Sequence, residues 1–277
     1  MQENTMQENT GPDNRGWRHG MIGSDAMDAE FDTVAEWTAE VAESLGPEYR
    51  IPAACRGSGR PSALDWLLAG LGLRPGDVMI DIGAGLGGPS AYAAERTGVQ
   101  PILAEPEFDA CRAAARLFGA PVVQADATAL PFADGAASHA WCLGVLCTAS
   151  GPDAQRTMLR ELHRVLRPSG RAGLLVFLAT RDRLDNPPEG NHFPSRAQLT
   201  ALLREADLTE TAAADPASLP APPVSWQERT DAVDHELRRR FGDAPPLLTA
   251  LEQSRKIGEL LHSGELVSQV IQLRRPD

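Results

Sequence analysis

The chain has 277 residues, with 26 Lys plus Arg against 38 Asp plus Glu, for a formal net charge of −12. That balance, without any long basic run, excludes phosphate-backbone binding as the main business, so no nucleic-acid partner is expected. The amino-terminal stretch is polar and no run reaches the length of a membrane span, so no membrane partner is expected and a cytoplasmic setting is.

Residues 1–24, which open on a duplicated MQENT, read as a disordered lead-in. From Asp25 to Leu45 apolar residues recur at helical spacing (Met27, Phe31, Val34, Trp37, Val41), predicting a helix that Gly46 and Pro47 end. A loop from Ile51 to Arg60 follows, then a helix from Pro61 to Leu71, so residues 25–72 form an N-terminal helical cap. The middle alternates short apolar strands with helical segments. The strands are Val78–Ile82, Pro101–Glu105, Pro121–Gln124, Ser138–Leu143 and Arg171–Ala179, and the helices Gly88–Arg96, Phe108–Phe118 and Pro152–Leu166. This alternation predicts an α/β fold: a doubly wound, mostly parallel sheet with helices on both faces, whose ligands lie at the carboxyl ends of the strands. A helix at Ser195–Ala206 and a strand at Leu208–Ala213 come next. A proline-rich linker, Leu219–Val224, leads to two amphipathic helices near Trp226–Phe241 and Pro246–His262, and the chain closes with a strand at Glu265–Leu273. Residues 25–277 thus read as one domain, with 73–180 as the ligand-binding core and the helical insertion at 225–262 as a lid.

The richest stretch is VMIDIGAGLGG, Val78 to Gly88. An apolar strand runs into a turn whose glycines leave room for close backbone approach, and a helix N-terminus then faces the site. Gly83, Gly85 and Gly88 fit GxGxxG, a pattern that serves NAD, FAD or S-adenosylmethionine (SAM) alike. Three acids sit at successive strand ends. Glu105, 20 residues beyond Gly85, can accept hydrogen bonds from both hydroxyls of a ribose; the alternative is a solvated strand-end acid before Pro106. Asp126 can accept from the exocyclic amine of adenine, with the Ala127 amide for a ring nitrogen, or it caps a turn. Asp81 orients loop amides or a ligand ammonium, or bonds only to backbone.

The ordered series DIGAGLGG, LAEPE, QADATALPF, WCLGVLC and VLRPSGRAGLLVF resembles the class I SAM-dependent methyltransferases over about Ala63 to Ala179, most closely the small-molecule, ubiquinone-methyltransferase-like branch. The resemblance implies SAM as cofactor, a Rossmann-like seven-stranded sheet with an antiparallel last strand, and methyl transfer to O, N or C of a small molecule, plausibly in specialised metabolism. It implies that Asp81, Gly83, Ala84 and Gly85 border the methionine part, Glu105 and Pro106 the ribose, and Asp126 with Ala127 the adenine. Leu143 and Gly144, at the strand-four exit, would pass beside the sulfonium and the acceptor.

Displacement at a sulfonium releases a neutral thioether, so the protein mainly positions the acceptor and excludes water, and a base is needed only if the acceptor must lose a proton. His192, in the loop PPEGNHFPS, can titrate near neutrality, and Cys147 can line the acceptor pocket; both also have plain structural readings. Arg56 and Arg60 flank a Gly-Ser-Gly loop and either hold an anionic substrate group or are solvated. Trp37 and Trp226 read as helix packing and His163 as surface. The four cysteines form no CxxC pair and have no histidines at zinc spacing, so no metal is expected. An NAD-dependent oxidoreductase on the same turn would want a Tyr-x-x-x-Lys dyad, which Tyr49, Tyr92 and Lys256, the only tyrosines and lysine, do not supply. A SAM-binding cyclase or binding module stands as the other alternative.

Overall fold

The computed structural model describes residues 29–277. The expected lead-in at 1–24 and the first expected helical turn, with Met27, lie outside them. A π-helical turn at Ala29–Thr33 runs into α1 (Val34–Leu45), and α2 (Pro47–Ala54) and α3 (Pro61–Leu71) complete the cap. The α2 helix corrects the loop expected from Ile51. Gly46, at φ 133°, ends α1 and Pro47 at once starts a new helix, which carries Pro52 inside it. Pro47, expected to end a helix, thus starts one, and Pro52 takes a tolerated interior position.

The core follows as β1 (Val78–Ile82), α4 (Gly88–Thr97), β2 (Gln100–Glu105), α5 (Phe108–Phe118), β3 (Val122–Gln124), β4 (Ala137–Leu143), α6 (Pro152–Val165) and β5 (Leu166–Ala179). Then come α7 (Arg196–Glu205), β6 (Thr209–Ala214), the insertion helices α8 (Val224–Phe241) and α9 (Pro245–His262), and β7 (Leu266–Arg274). The strands form one seven-stranded sheet in the order β3-β2-β1-β4-β5-β7-β6, with β7 antiparallel to both neighbours and the other pairings parallel. This is the expected Rossmann-like sheet. β5 starts earlier than Arg171: Leu166 already pairs with Ala137, and Ser169, at φ 60°, shifts the register before Arg171 pairs with His139. The Pro-Ser-Gly turn is therefore a kink within the strand.

Apolar residues cover both faces of the sheet. Ile80, Ile82, Cys142, Leu174 and Val176 pack towards α6 and α7, whose faces supply Leu159, Leu162, Leu199 and Leu202. Met79, Trp141, Leu143 and Leu175 pack on the other side with Leu64, Leu67 and Leu71 of α3 and Tyr92 of α4. The insertion is joined to the cap. Val233 and Leu237 of α8 bury against Val41, Ala42 and Ala53, Leu247 and Ala250 of α9 against Val34, and Trp37 stacks on Phe241 with ring centroids 4.3 Å apart. Among the described residues no helix is long and apolar enough to cross a membrane.

Candidate functional site

The site is built where β1 ends. The Gly83 and Ala84 amides donate to Ala104 O at 2.8 and 3.2 Å, which hooks the turn onto the end of β2. Two glycines differ in what surrounds them. Gly83 has φ 69°, and a Cβ there would meet Val145 Cγ2 at 2.4 Å, so the β4 exit is pressed onto the turn. Gly85 has φ 53°, and a Cβ there would meet nothing within 4 Å, so its outer face is open. That combination is a cradle: one side closed by the fold, the other left to a ligand. Gly88, the third glycine, is tight for a structural reason, since its Cβ would stand 2.4 Å from the Ala54 carbonyl carbon of α2.

Glu105 reaches across to this turn. Its Oε2 accepts the Gly85 N–H at 2.7 Å and its Oε1 the Glu107 N–H at 3.1 Å. The side chain is buried, and desolvation pushes its carboxyl up to about 7, partly offset by those two amides. The sequence puts Glu105 20 residues beyond Gly85, and in the structure the two touch. Pro106 continues the same wall, its carbonyl accepting from Gln124 Nε2 at 2.8 Å.

Asp81 is buried at the floor and accepts from Ser90 Oγ of α4 at 2.7 Å. Desolvation raises its carboxyl to about 6 against the lowering effects of Ser90 and of Trp141, its register partner on β4. The indole Nε1 of Trp141 is buried without a direct hydrogen bond. Sequence reasoning passed over Ser90; a hydroxyl on the sheet-facing side of a helix that begins right after the glycine turn was the available signal. Asp126 caps a turn with one oxygen, since Oδ1 accepts the Thr128 amide at 2.6 Å and also the Thr128 hydroxyl. Ala127 beside it is buried.

Leu143 is buried at the end of β4, and Gly144, at φ 81°, donates to Leu175 O at 2.9 Å. Cys147 is buried in the turn that follows, and its thiol donates to Gly144 O at 3.2 Å. His192 is brought to the same place through backbone: its N–H donates to Cys147 O at 2.7 Å, while its side chain is exposed. The imidazole borders a groove of about 730 Å³ together with Arg181, Arg183 and Asn186. Gln155 of α6, another residue that sequence reasoning missed, locks this arrangement. It is buried, and its Nε2 donates to Leu146 O at 3.1 Å and to His192 O at 2.7 Å. Its signal was a polar residue on the apolar stripe of Met158, Leu159 and Leu162.

Other singled-out residues lie in packing. Trp226 meets Tyr92 edge-on with centroids 6.0 Å apart, and His163 stands 3.8 Å from Asp207. No disulfide joins the four cysteines, all of them buried, and burial pushes the thiols of Cys55, Cys111 and Cys142 up, which disfavours thiolate chemistry. Among the described residues no group of three or more His, Cys, Asp or Glu could hold a metal ion.

Comparison with known proteins fits this geometry. Residues 80–174, from the middle of β1 into β5, match the family model described as a methyltransferase domain. Similar folds include the [4+2]-cyclase SpnF, at 22% identity and TM-score 0.57 over 77% of this chain and 79% of that one. Another is geranyl diphosphate C-methyltransferase from Streptomyces coelicolor A3(2), at 16% identity and TM-score 0.56 over 76% and 74% of the two chains. A third is a putative sarcosine dimethylglycine methyltransferase from Galdieria sulphuraria, at 17% identity and TM-score 0.60 over 77% and 85%. Residues 80–174, which hold the glycine turn and the Glu105–Gly85 contact within the seven-stranded sheet, are thus similar to a methyltransferase domain.

Proposed function

We propose that the protein transfers a methyl group from SAM to O, N or C of a small molecule, as in the ubiquinone-methyltransferase-like branch. The observation that carries this reading is the pairing of an open Gly85 with a buried Glu105 carboxylate 2.7 Å away. That carboxylate and Pro106 would hold the ribose; Asp81, Gly83, Ala84 and Gly85 would border the methionine part; Asp126 and Ala127 would take the adenine. Asp126 fits this role with Oδ2, because the Thr128 turn uses only Oδ1. SAM supplies an activated methyl with a neutral leaving group, so the chain's own task is orientation and exclusion of water. Leu143 and Gly144 would flank the reacting centre, and the cap with α8 and α9 would close over it as a lid.

His192 is the candidate base if the acceptor must lose a proton; its imidazole is accessible and its backbone fixed on both sides. Cys147 contributes to the pocket wall, since its thiol is buried and bonded to Gly144 O. A second reading is favoured by one comparison: the similarity to SpnF, a [4+2]-cyclase, supports a SAM-fold protein that transfers no methyl group. Titration calorimetry with SAM and S-adenosylhomocysteine (SAH) tests the cofactor, and both are expected to bind. A folded sample that binds neither would refute both readings. Binding without SAM turnover across O-, N- and C-acceptors would favour the second.

A further inference from the structure

We propose that the loop from Arg56 to Arg60 is an anion site that holds a carboxylate or phosphate group of the methyl acceptor through both guanidiniums. This rests on the methyltransferase reading and names the acceptor's class. The loop crosses the carboxyl edge of the sheet from the cofactor side to the acceptor side. It leaves α2 where Ala54 and Cys55 abut Gly88, the start of α4, at 2.4 and 2.6 Å from the position of a Cβ there. Gly57 O lies 3.0 Å from the corresponding point on Gly144, at the β4 exit. Gly59 then reaches Leu175 of β5, whose Cδ1 would stand 3.1 Å from a Cβ at that position. Arg60 therefore sits beyond the β4 exit, at the head of α3, while the glycine turn is at the other end of the path.

Both arginines are half-buried, and neither guanidinium has a hydrogen-bond or ion-pair partner among the described residues. Arg116, Arg156, Arg164 and Arg196, by contrast, each lie within 3.0 Å of a carboxylate that neutralises them. An unpaired guanidinium is free to take a carboxylate or phosphate through two parallel N–H bonds. Two residues on from Arg60, Ser62 has a buried Oγ with no partner, a further donor in the first turn of α3. The molecule as a whole is acidic, with net charge −12, so an anionic acceptor needs such a local positive site.

The test is calorimetric titration of inorganic pyrophosphate and, separately, of benzoate into SAH-saturated and ligand-free protein. Wild type is expected to bind at least one of them; which one it is assigns the acceptor's group. The double variant R56Q/R60Q is expected to weaken that binding tenfold or more while SAH affinity stays within twofold. Its melting curve and SAH binding report that it is folded, and R60K is expected to keep most of the anion affinity. No anion binding by wild type, or binding that survives the double substitution, would overturn the proposal. So would a parallel loss of SAH affinity, which would assign the arginines to the methionine carboxylate. Failure of wild type to bind SAH overturns the cofactor reading, whereas the titration of the ligand-free protein reports on the anion site by itself.

Discussion

Replacing Glu105 by Gln should separate the stability of the protein from its grip on the cofactor. Burial lifts this carboxyl from an ordinary 4.5 to about 7 despite the Gly85 and Glu107 amides. A difference of that size between folded and unfolded chain corresponds to about 3 kcal/mol. The sign follows from proton binding. Between pH 4.5 and 7 the native state keeps a proton that the unfolded chain has released. Stability therefore falls as pH rises through that window, and the loss is complete above about pH 7. Gln keeps one acceptor but turns its NH2 towards the second of those amides, a cost that is the same at every pH, while it removes the titration; relative to wild type, E105Q should therefore gain about 2 kcal/mol of stability between pH 5.5 and pH 8. Such a gain would raise the melting temperature by several degrees for a chain of this size. SAH affinity should move the other way, falling tenfold or more, because an amide cannot accept from two ribose hydroxyls. Urea unfolding at the two pH values, with calorimetry at pH 8, reads both effects. A stability difference between E105Q and wild type that is the same at the two pH values, or unchanged SAH affinity, would show the reasoning to be mistaken.

The two turn glycines should respond differently to alanine. G83A combines a left-handed φ with a methyl 2.4 Å from the branched Val145 side chain, and should cost about 2–3 kcal/mol in urea unfolding. G85A has the strained φ but open space around it, so about 1 kcal/mol of stability and a much larger fractional loss of SAH affinity are expected. An equal effect on unfolding by the two variants would contradict this. Q155M removes the donor that serves Leu146 O and His192 O, leaving the buried Leu146 carbonyl short of a partner at about 1–3 kcal/mol. Hydrogen exchange should then quicken over residues 186–193, and unaltered exchange there would mean that the bridge does not hold the loop.

Much of the fold was legible because it is local along the chain. The glycine turn is read between Ile82 and Gly88, and the 20-residue step from Gly85 to Glu105 follows from one strand, one helix and a second strand. The α2 helix was not legible, because Pro47 and Pro52 interrupt the donor pattern by which helices are recognised, while Ala53 and Ala54 are held helical by packing on α8 and the glycine turn. The Asp126 side chain shows a similar limit: DAT can be a ligand-binding corner or a turn cap, and the Thr128 contacts show that one oxygen already serves the cap.

From the sequence alone came the alternation of strands and helices, the glycine turn, and the acids at the strand ends, since hydrophobic period and backbone freedom act over a few neighbouring residues. The tertiary structure alone decided which distant pieces meet there. Gln155 ties down a carbonyl 37 residues away, Trp37 stacks on Phe241, and the loop at Arg56–Arg60 comes to lie over Gly144. Such contacts leave no periodic trace in either segment, because each depends on the shape of a surface that forms only when the whole sheet is assembled.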